Sequence, residues 1–253
     1  MKPRILFLAL LFALAGPAAA AASFADWAAV VISGDDRAAH VDRPTQAFDH
    51  ARRDVAAALE RRGFAADNIV QFSVEPRRHP DTRPGLADQP GIAAGLARVA
   101  GRARGGCLVY LTSHGSPDGA VLGDRLLPPR ALAKMIDESC PARPTVVVVS
   151  ACFSGVFIPA LARPERLVVT AARRDRSSFG CGEADTYPVF DGCVLAAFSG
   201  AADFLDLASR ARACVDRRER EEGLSPPSQP QIVAGARFRP LAFAPWRPAA
   251  QAR

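Results

Sequence analysis

The sequence predicts an α/β protein, a mostly parallel sheet with helices on both faces, folded as a single domain. Three observations carry this. Short apolar runs alternate with segments of helical periodicity, the arrangement of βαβ units. Two of the runs, residues 107–113 (CLVYLTS) and 145–150 (TVVVVS), are apolar almost throughout, as strands covered on both faces are. The 253 residues are 49% hydrophobic and 23% charged, with no internal repeat and no second composition block, a balance that suits one core-forming unit.

The elements follow in order. Residues 27–32 are an apolar strand closed by the loop Ser33-Gly34-Asp35-Asp36. Thr45 can cap a helix running to about residue 62, in which Phe48, Val55 and Leu59 share a face and which Gly63 stops. Residues 69–74 read as a strand, 75–84 as a Pro- and Arg-rich loop, and 92–104 as a second helix ended by Gly105-Gly106. After the strand at 107–113, residues 129–139 form a third helix with Leu132 and Ile136 on one face. The Val-rich strand at 145–150 is followed by a short strand at 167–170 and a longer helical stretch within 195–218. A linker at 225–230 leads to a last strand within 231–243.

The N-terminus reads as an export signal. Lys2 and Arg4 give a positive start, and residues 5–15 are an apolar run too short to span a bilayer. Gly16-Pro17 ends that run, and the alanines of 18–22 offer small-residue cleavage sites. The expected organisation is a signal peptide at 1–22, one domain at 23–246 and a tail at 247–253, with a periplasmic or secreted mature protein. No stable membrane insertion is expected after cleavage. Loss of Lys2 and Arg4 lowers the formal net charge from +6 to +4. The remaining basic residues largely alternate with acids, as in Asp216-Arg217-Arg218-Glu219-Arg220-Glu221-Glu222, which is the pattern of a solvated helix face. With two Tyr and two Trp there is little aromatic surface for stacking bases, so no nucleic-acid partner is expected. Nothing indicates the oligomeric state.

Six cysteines follow the signal: Cys107, Cys140, Cys152, Cys181, Cys193 and Cys214. An exported chain permits disulfides. Cys107 lies in an apolar strand and reads as a buried small hydrophobe, and Cys181 with Cys193 is the first bridge to test. If one thiol is a nucleophile, at least one other is free or intermolecular.

Sites in open α/β sheets form beyond the carboxyl ends of strands. Two successive strands end in reactive residues, one at Ser113-His114-Gly115-Ser116 and the other at Ser150-Ala151-Cys152-Phe153-Ser154-Gly155. Either residue alone reads as ordinary, a loop histidine or a buried inert thiol. As parallel neighbours, the strands would bring His114 and Cys152 to one edge. A free thiol with a pKa near ~8.5 is largely protonated at neutral pH, and an adjacent imidazole can accept its proton during attack. Acyl transfer also needs oxyanion donors, for which the N–H groups of Gly115 and Cys152 are candidates. Gly115 lets the main chain approach substrate closely, and Gly155 allows a sharp turn away from the thiol.

Competing chemistries lack their residues. A zinc site at Cys152 and His114 would need further ligands, and no CxxC or HxxxH spacing supplies them. There is no Gly-x-Ser-x-Gly elbow and no phosphate-cradling loop, and Asp35 and Asp36 would repel phosphate. His40, His50 and His79 read as solvated surface. No metal or organic cofactor is required.

The segments CLVYLTSHG (107–115) and VVVVSACFSG (146–155), with His114 preceding Cys152 by 38 residues, resemble the caspase-like cysteine peptidases. Within them they are most similar to the legumain family, peptidase family C13. VTAARRDRSSFGC (169–181) resembles the legumain stretch after the next strand, and the likeness extends over about 25–244. The resemblance implies a caspase-like fold and a cysteine endopeptidase with a Cys-His dyad acting on peptide or protein substrates. It also implies substrate-binding roles for Asp191, Ser177 and Ser150. Asp191 is similar in position to a pocket acid, Ser177 and Ser178 match a serine pair near the substrate channel, and Ser150 stands where legumains carry an acid. The legumain Arg-His pair after the first strand has no plain counterpart among Arg37, His40 and Arg43. The segment 173–182 reads as an exposed solvated loop, or as a self-cleavage or substrate loop. The same dyad could serve a transamidase or peptide ligase, and the fold could also serve a catalytically silent binding module.

Overall fold

The computed structural model describes residues 24–39, 43–242 and Trp246. The expected signal peptide, the tail after 246 and His40 lie outside these residues.

A seven-stranded sheet forms the centre, in the order β10-β9-β8-β4-β1-β2-β3. Its strands are β1 (Trp27–Ser33), β2 (Ile69–Ser73), β3 (Gly85–Leu86), β4 (Gly106–Thr112), β8 (Thr145–Ser150), β9 (Arg166–Thr170) and β10 (Gln231–Ala234). All pairs are parallel except β9 with β10, which is antiparallel. The α/β expectation is met.

The strand period of two divides the apolar residues between two cores. Val31, Tyr110, Val148 and Val169 face one side with α1 (Ala47–Arg61), α5 (Val189–Phe198) and α6 (Phe204–Glu221). Ile32, Val109, Val147 and Val168 face the other with α2 (Gln89–Arg102), α3 (Pro129–Ser139) and α4 (Ile158–Leu161). Two-sided burial explains why β4 and β8 are uninterrupted apolar runs.

Four features differ from the expectation. The helical stretch near the C-terminus is two helices, because the chain breaks after Phe198 and Asp203 caps α6 by accepting the Asp206 N–H (2.8 Å). The stretch expected to hold the last strand contains it as β10 and also holds a helix, α7 (Arg239–Ala242), that was not expected. A small antiparallel sheet of β5 (Gly115–Ser116), β6 (Gly119–Leu122) and β7 (Arg125–Leu127) lies just after His114. Finally, Cys107 is not a free hydrophobe and Cys181 does not bridge Cys193. The disulfides are Cys107–Cys140 and Cys193–Cys214, which tie β4 to the end of α3 and α5 to α6, while Cys152 and Cys181 are free.

Candidate active site

The two reactive segments are brought together by strand register. β4 and β8 pair in parallel with Thr112 opposite Ser150. Ser113 extends the ladder by donating its N–H to Ser150 O (3.0 Å). His114 and Cys152 each follow the Thr112–Ser150 pair by two residues, on strands about 4.8 Å apart. Gly115 packs its main chain directly on the Cys152 segment, and a Cβ there would lie 2.2 Å from Cys152 O. Glycine at 115 therefore serves the contact between the two motifs.

His114 is half-buried, its ring edge-on to Phe48 of α1 at 5.1 Å. Its Nε2 lies 2.9 Å from Arg37 O. A carbonyl only accepts, so that bond assigns the proton to Nε2 and leaves Nδ1 with the free lone pair. The carbonyl is held in turn by the loop after β1. Buried Asp35 accepts the N–H groups of Asp36 (2.8 Å) and Arg37 (3.1 Å), and Arg37 Nη2 donates to Gly123 O (3.2 Å). Ala39 N–H donates to Cys181 O (2.8 Å), joining this loop to the one that lines the thiol. Asp35 thus orders the loop that holds the histidine.

Cys152 is half-buried, and its Sγ accepts the Ser178 N–H at 3.3 Å, with Ser178 O and Oγ at 3.5 and 3.7 Å. Phe153, with φ 57°, takes the left-handed turn expected of Gly155 and donates its N–H to Arg176 O (2.8 Å). A non-glycine residue there costs about 1–2 kcal/mol, and the sharp turn directs the thiol out of the strand end. Gly155 is needed for a close approach instead, since a Cβ would meet Arg174 N at 2.5 Å. The segment 173–182 is thus part of the site wall. The second free thiol, Cys181, is pushed up to about 12 by burial and then by its proximity to Cys152, so it is a poor nucleophile at neutral pH.

For the oxyanion donors, the hairpin geometry matters. Val121 N–H donates to His114 O (2.9 Å), and Gly115 faces Ala120. In an antiparallel ladder this makes Gly115–Ala120 a non-hydrogen-bonded pair, so the Gly115 N–H points away from β6.

The substrate-binding roles expected of Asp191 and Ser150 need correction. Asp191 is fully buried in the first turn of α5. Its carboxylate accepts hydroxyls from Tyr110, from Thr112 (2.8 Å) and from Ser150 (2.8 Å). Burial pushes its carboxyl up to about 6, against the opposing pull of the three hydroxyls. The same burial, with the neighbouring carboxylate, raises the Tyr110 phenol well above its ordinary value. Neither Asp191 nor Ser150, itself buried, presents a surface to substrate. Ser177 is exposed beside Ser178.

His79 is also not solvated surface, since its Nε2 lies 3.0 Å from the buried Asp49, which Arg52 (2.7 Å) and Ser73 (3.0 Å) also contact. His50 Nδ1 meets Thr186 O at 3.3 Å. A groove of about 820 Å³ between α3 and the segment after Cys152 is lined by Val156 and Pro159 but by neither Cys152 nor His114. Among the described residues, no group of three or more His, Cys, Asp or Glu is gathered to hold a metal ion, and no helix is long and apolar enough to cross a membrane.

The model of the Peptidase C13 family matches residues 91–202, a span that contains both strand-end motifs. Comparison with curated protein sequences returns no match. Among solved structures, caspase-1 from Spodoptera frugiperda is similar, with a TM-score of 0.61 and 14% sequence identity over 90% of this chain and 94% of that one. At that identity the likeness is one of fold. The match over the motif-bearing segment, with the shared fold, supports a likeness to the legumain-like, caspase-fold cysteine peptidases.

Proposed function

We propose that the chain is an exported cysteine endopeptidase in which Cys152 is the nucleophile and His114 its base. The observation that carries this reading is the paired strand-end placement of the two residues, two positions beyond Thr112–Ser150, with His114 Nε2 held on Arg37 O (2.9 Å). His114 Nδ1 takes the thiol proton as Cys152 Sγ attacks the carbonyl carbon of the scissile bond. The imidazolium keeps its Nε2–H on Arg37 O, so no carboxylate is needed to orient it. The negative oxygen of the tetrahedral intermediate accepts the N–H groups of Gly115 and Cys152. The C–N bond then breaks, the leaving amine takes the proton from His114, and a thioester remains on Cys152. Water attacks the thioester, giving a proton to His114, and the C–S bond breaks to release the acid and the thiolate. Ser177, exposed beside the thiol's neighbour Ser178, is a substrate contact. The family implies peptide or protein substrates.

Export to the periplasm or medium through the 1–22 signal is supported by the two disulfides, which persist where the surroundings are oxidising. The functional test is a peptide library varied at the residue before the scissile bond, digested by the mature protein and by Cys152→Ala. The wild type should cleave a subset, and the variant none. Cleavage retained by the folded variant would refute the assignment.

A further inference from the structure

Asp191 is a buried acid that the reaction above leaves unused, and its three contacts share one geometry. Tyr110 and Thr112 lie on β4, Ser150 lies on β8, and Thr112 and Ser150 are register partners. Each of these last two hydroxyls stands two residues before a reactive side chain, Thr112 before His114 and Ser150 before Cys152. Moreover, a single carboxylate oxygen, Oδ2, accepts both of them, each at 2.8 Å. The other oxygen accepts Tyr110, deeper on β4. Asp191 therefore reaches from α5 across the gap between the two strands where they leave the sheet. Beyond this point the chains diverge, β4 into the β5–β7 hairpin and β8 into the left-handed turn at Phe153. Only Ser113 N–H to Ser150 O continues the β4–β8 ladder past the register pair.

We propose that Asp191 is a positioning residue for the Cys-His pair, fixing the separation of Cys152 and His114 by tying the ends of β4 and β8 to one carboxylate oxygen. The proposal rests on the reading of Cys152 and His114 as nucleophile and base. A relative shift of the strand ends by about 1 Å is enough to cost on the order of 100-fold in rate when two groups must meet in line. The tie is made of hydroxyl donors to a buried acceptor, so Val in place of Thr112 removes it while Ser keeps it.

The test compares Asp191→Ala, Thr112→Val, Ser150→Ala and Thr112→Ser with wild type. Turnover is normalised to the fraction of sites that react with a peptide electrophile, so that misfolded protein is not counted. Asp191→Ala should lower kcat per reactive site by about 10- to 100-fold with KM and residue preference unchanged. Thr112→Val and Ser150→Ala should each lose less, and Thr112→Ser should stay near wild type. A loss confined to KM, or an altered residue preference, would return Asp191 to the substrate pocket and overturn the proposal, as would unchanged kcat per site. If Asp191→Ala does not fold, the threonine pair decides alone. If the wild type cleaves no peptide, the endopeptidase reading fails, and the iodoacetamide alkylation rate of Cys152 still tests the tie. That rate should fall in Thr112→Val and not in Thr112→Ser, and equal rates in the two would overturn it.

Discussion

At the residue scale, the site depends on neighbours that differ in kind from the reactive pair. His114 is oriented by a main-chain carbonyl and Cys152 by a main-chain N–H, while Asp191 acts underneath them. The raised carboxyl of Asp191 has a consequence for stability. Its ordinary value is 3.8 and its folded value about 6. The folded state therefore holds this proton more tightly than the unfolded chain. The associated stability is fully present below the unfolded value and is lost as pH rises through the folded one, about 3 kcal/mol in all at 1.36 kcal/mol per unit. Tyr110, the titratable group in contact with Asp191, stays protonated throughout this range. Denaturant unfolding of wild type and Asp191→Asn between about pH 3 and about pH 7 should show the wild type losing that much relative to the variant. A difference that does not change with pH would contradict the burial argument. The juxtaposition of the two strand ends was readable, because His-Gly and Ala-Cys each close an apolar strand. Arg37 O was not, since every residue carries the same carbonyl. Asp191 could be noticed but not interpreted, because its three hydroxyl donors come from two strands far from it in sequence.

At the element scale, the strands that carry the motifs were the most legible, and the reason is burial. β4 and β8 are covered on both faces and leave long apolar runs. β5, β6 and β7 have two to four residues each, too few to leave a periodic pattern. The break between α5 and α6 is marked by Gly200 and by the cap at Asp203, signals that the surrounding apolar residues obscured. Cap and bridge make separate predictions here. Asp203→Ala should destabilise the protein by about 1 kcal/mol by orphaning the Asp206 N–H. Replacing both Cys193 and Cys214 by Ser opens a bridge of 21-residue separation and should cost about 3 kcal/mol. Guanidinium melts measure both, and a midpoint shift for the cap equal to or larger than that for the bridge would contradict the ranking. The bridge pairing was not legible, because Cα proximity is a property of the folded chain.

At the scale of the whole molecule, the fold supplies an edge at which parallel strands present their ends. Order β8-β4-β1 puts the thiol, the imidazole and the loop holding the imidazole on three adjacent strands. Cys152 and Cys181 stay free while the other four cysteines pair, so an oxidised, exported protein should carry two titratable thiols after denaturation and four alkylatable cysteines more after reduction. Thiol counting before and after reductant checks this, and six free thiols in protein recovered from the periplasm or medium would contradict the export reading. The composition made one α/β unit legible, whereas the pairing of particular residues across the sheet edge depends on register.

The central claim is that His114 activates Cys152. Its most direct test is the rate of iodoacetamide alkylation at neutral pH, resolved by mass spectrometry to Cys152 and Cys181, in wild type and His114→Ala. Loss of the base should slow Cys152 by about 10-fold or more and leave the slow reaction of half-buried Cys181 unchanged. Equal Cys152 rates in the two proteins would contradict the dyad.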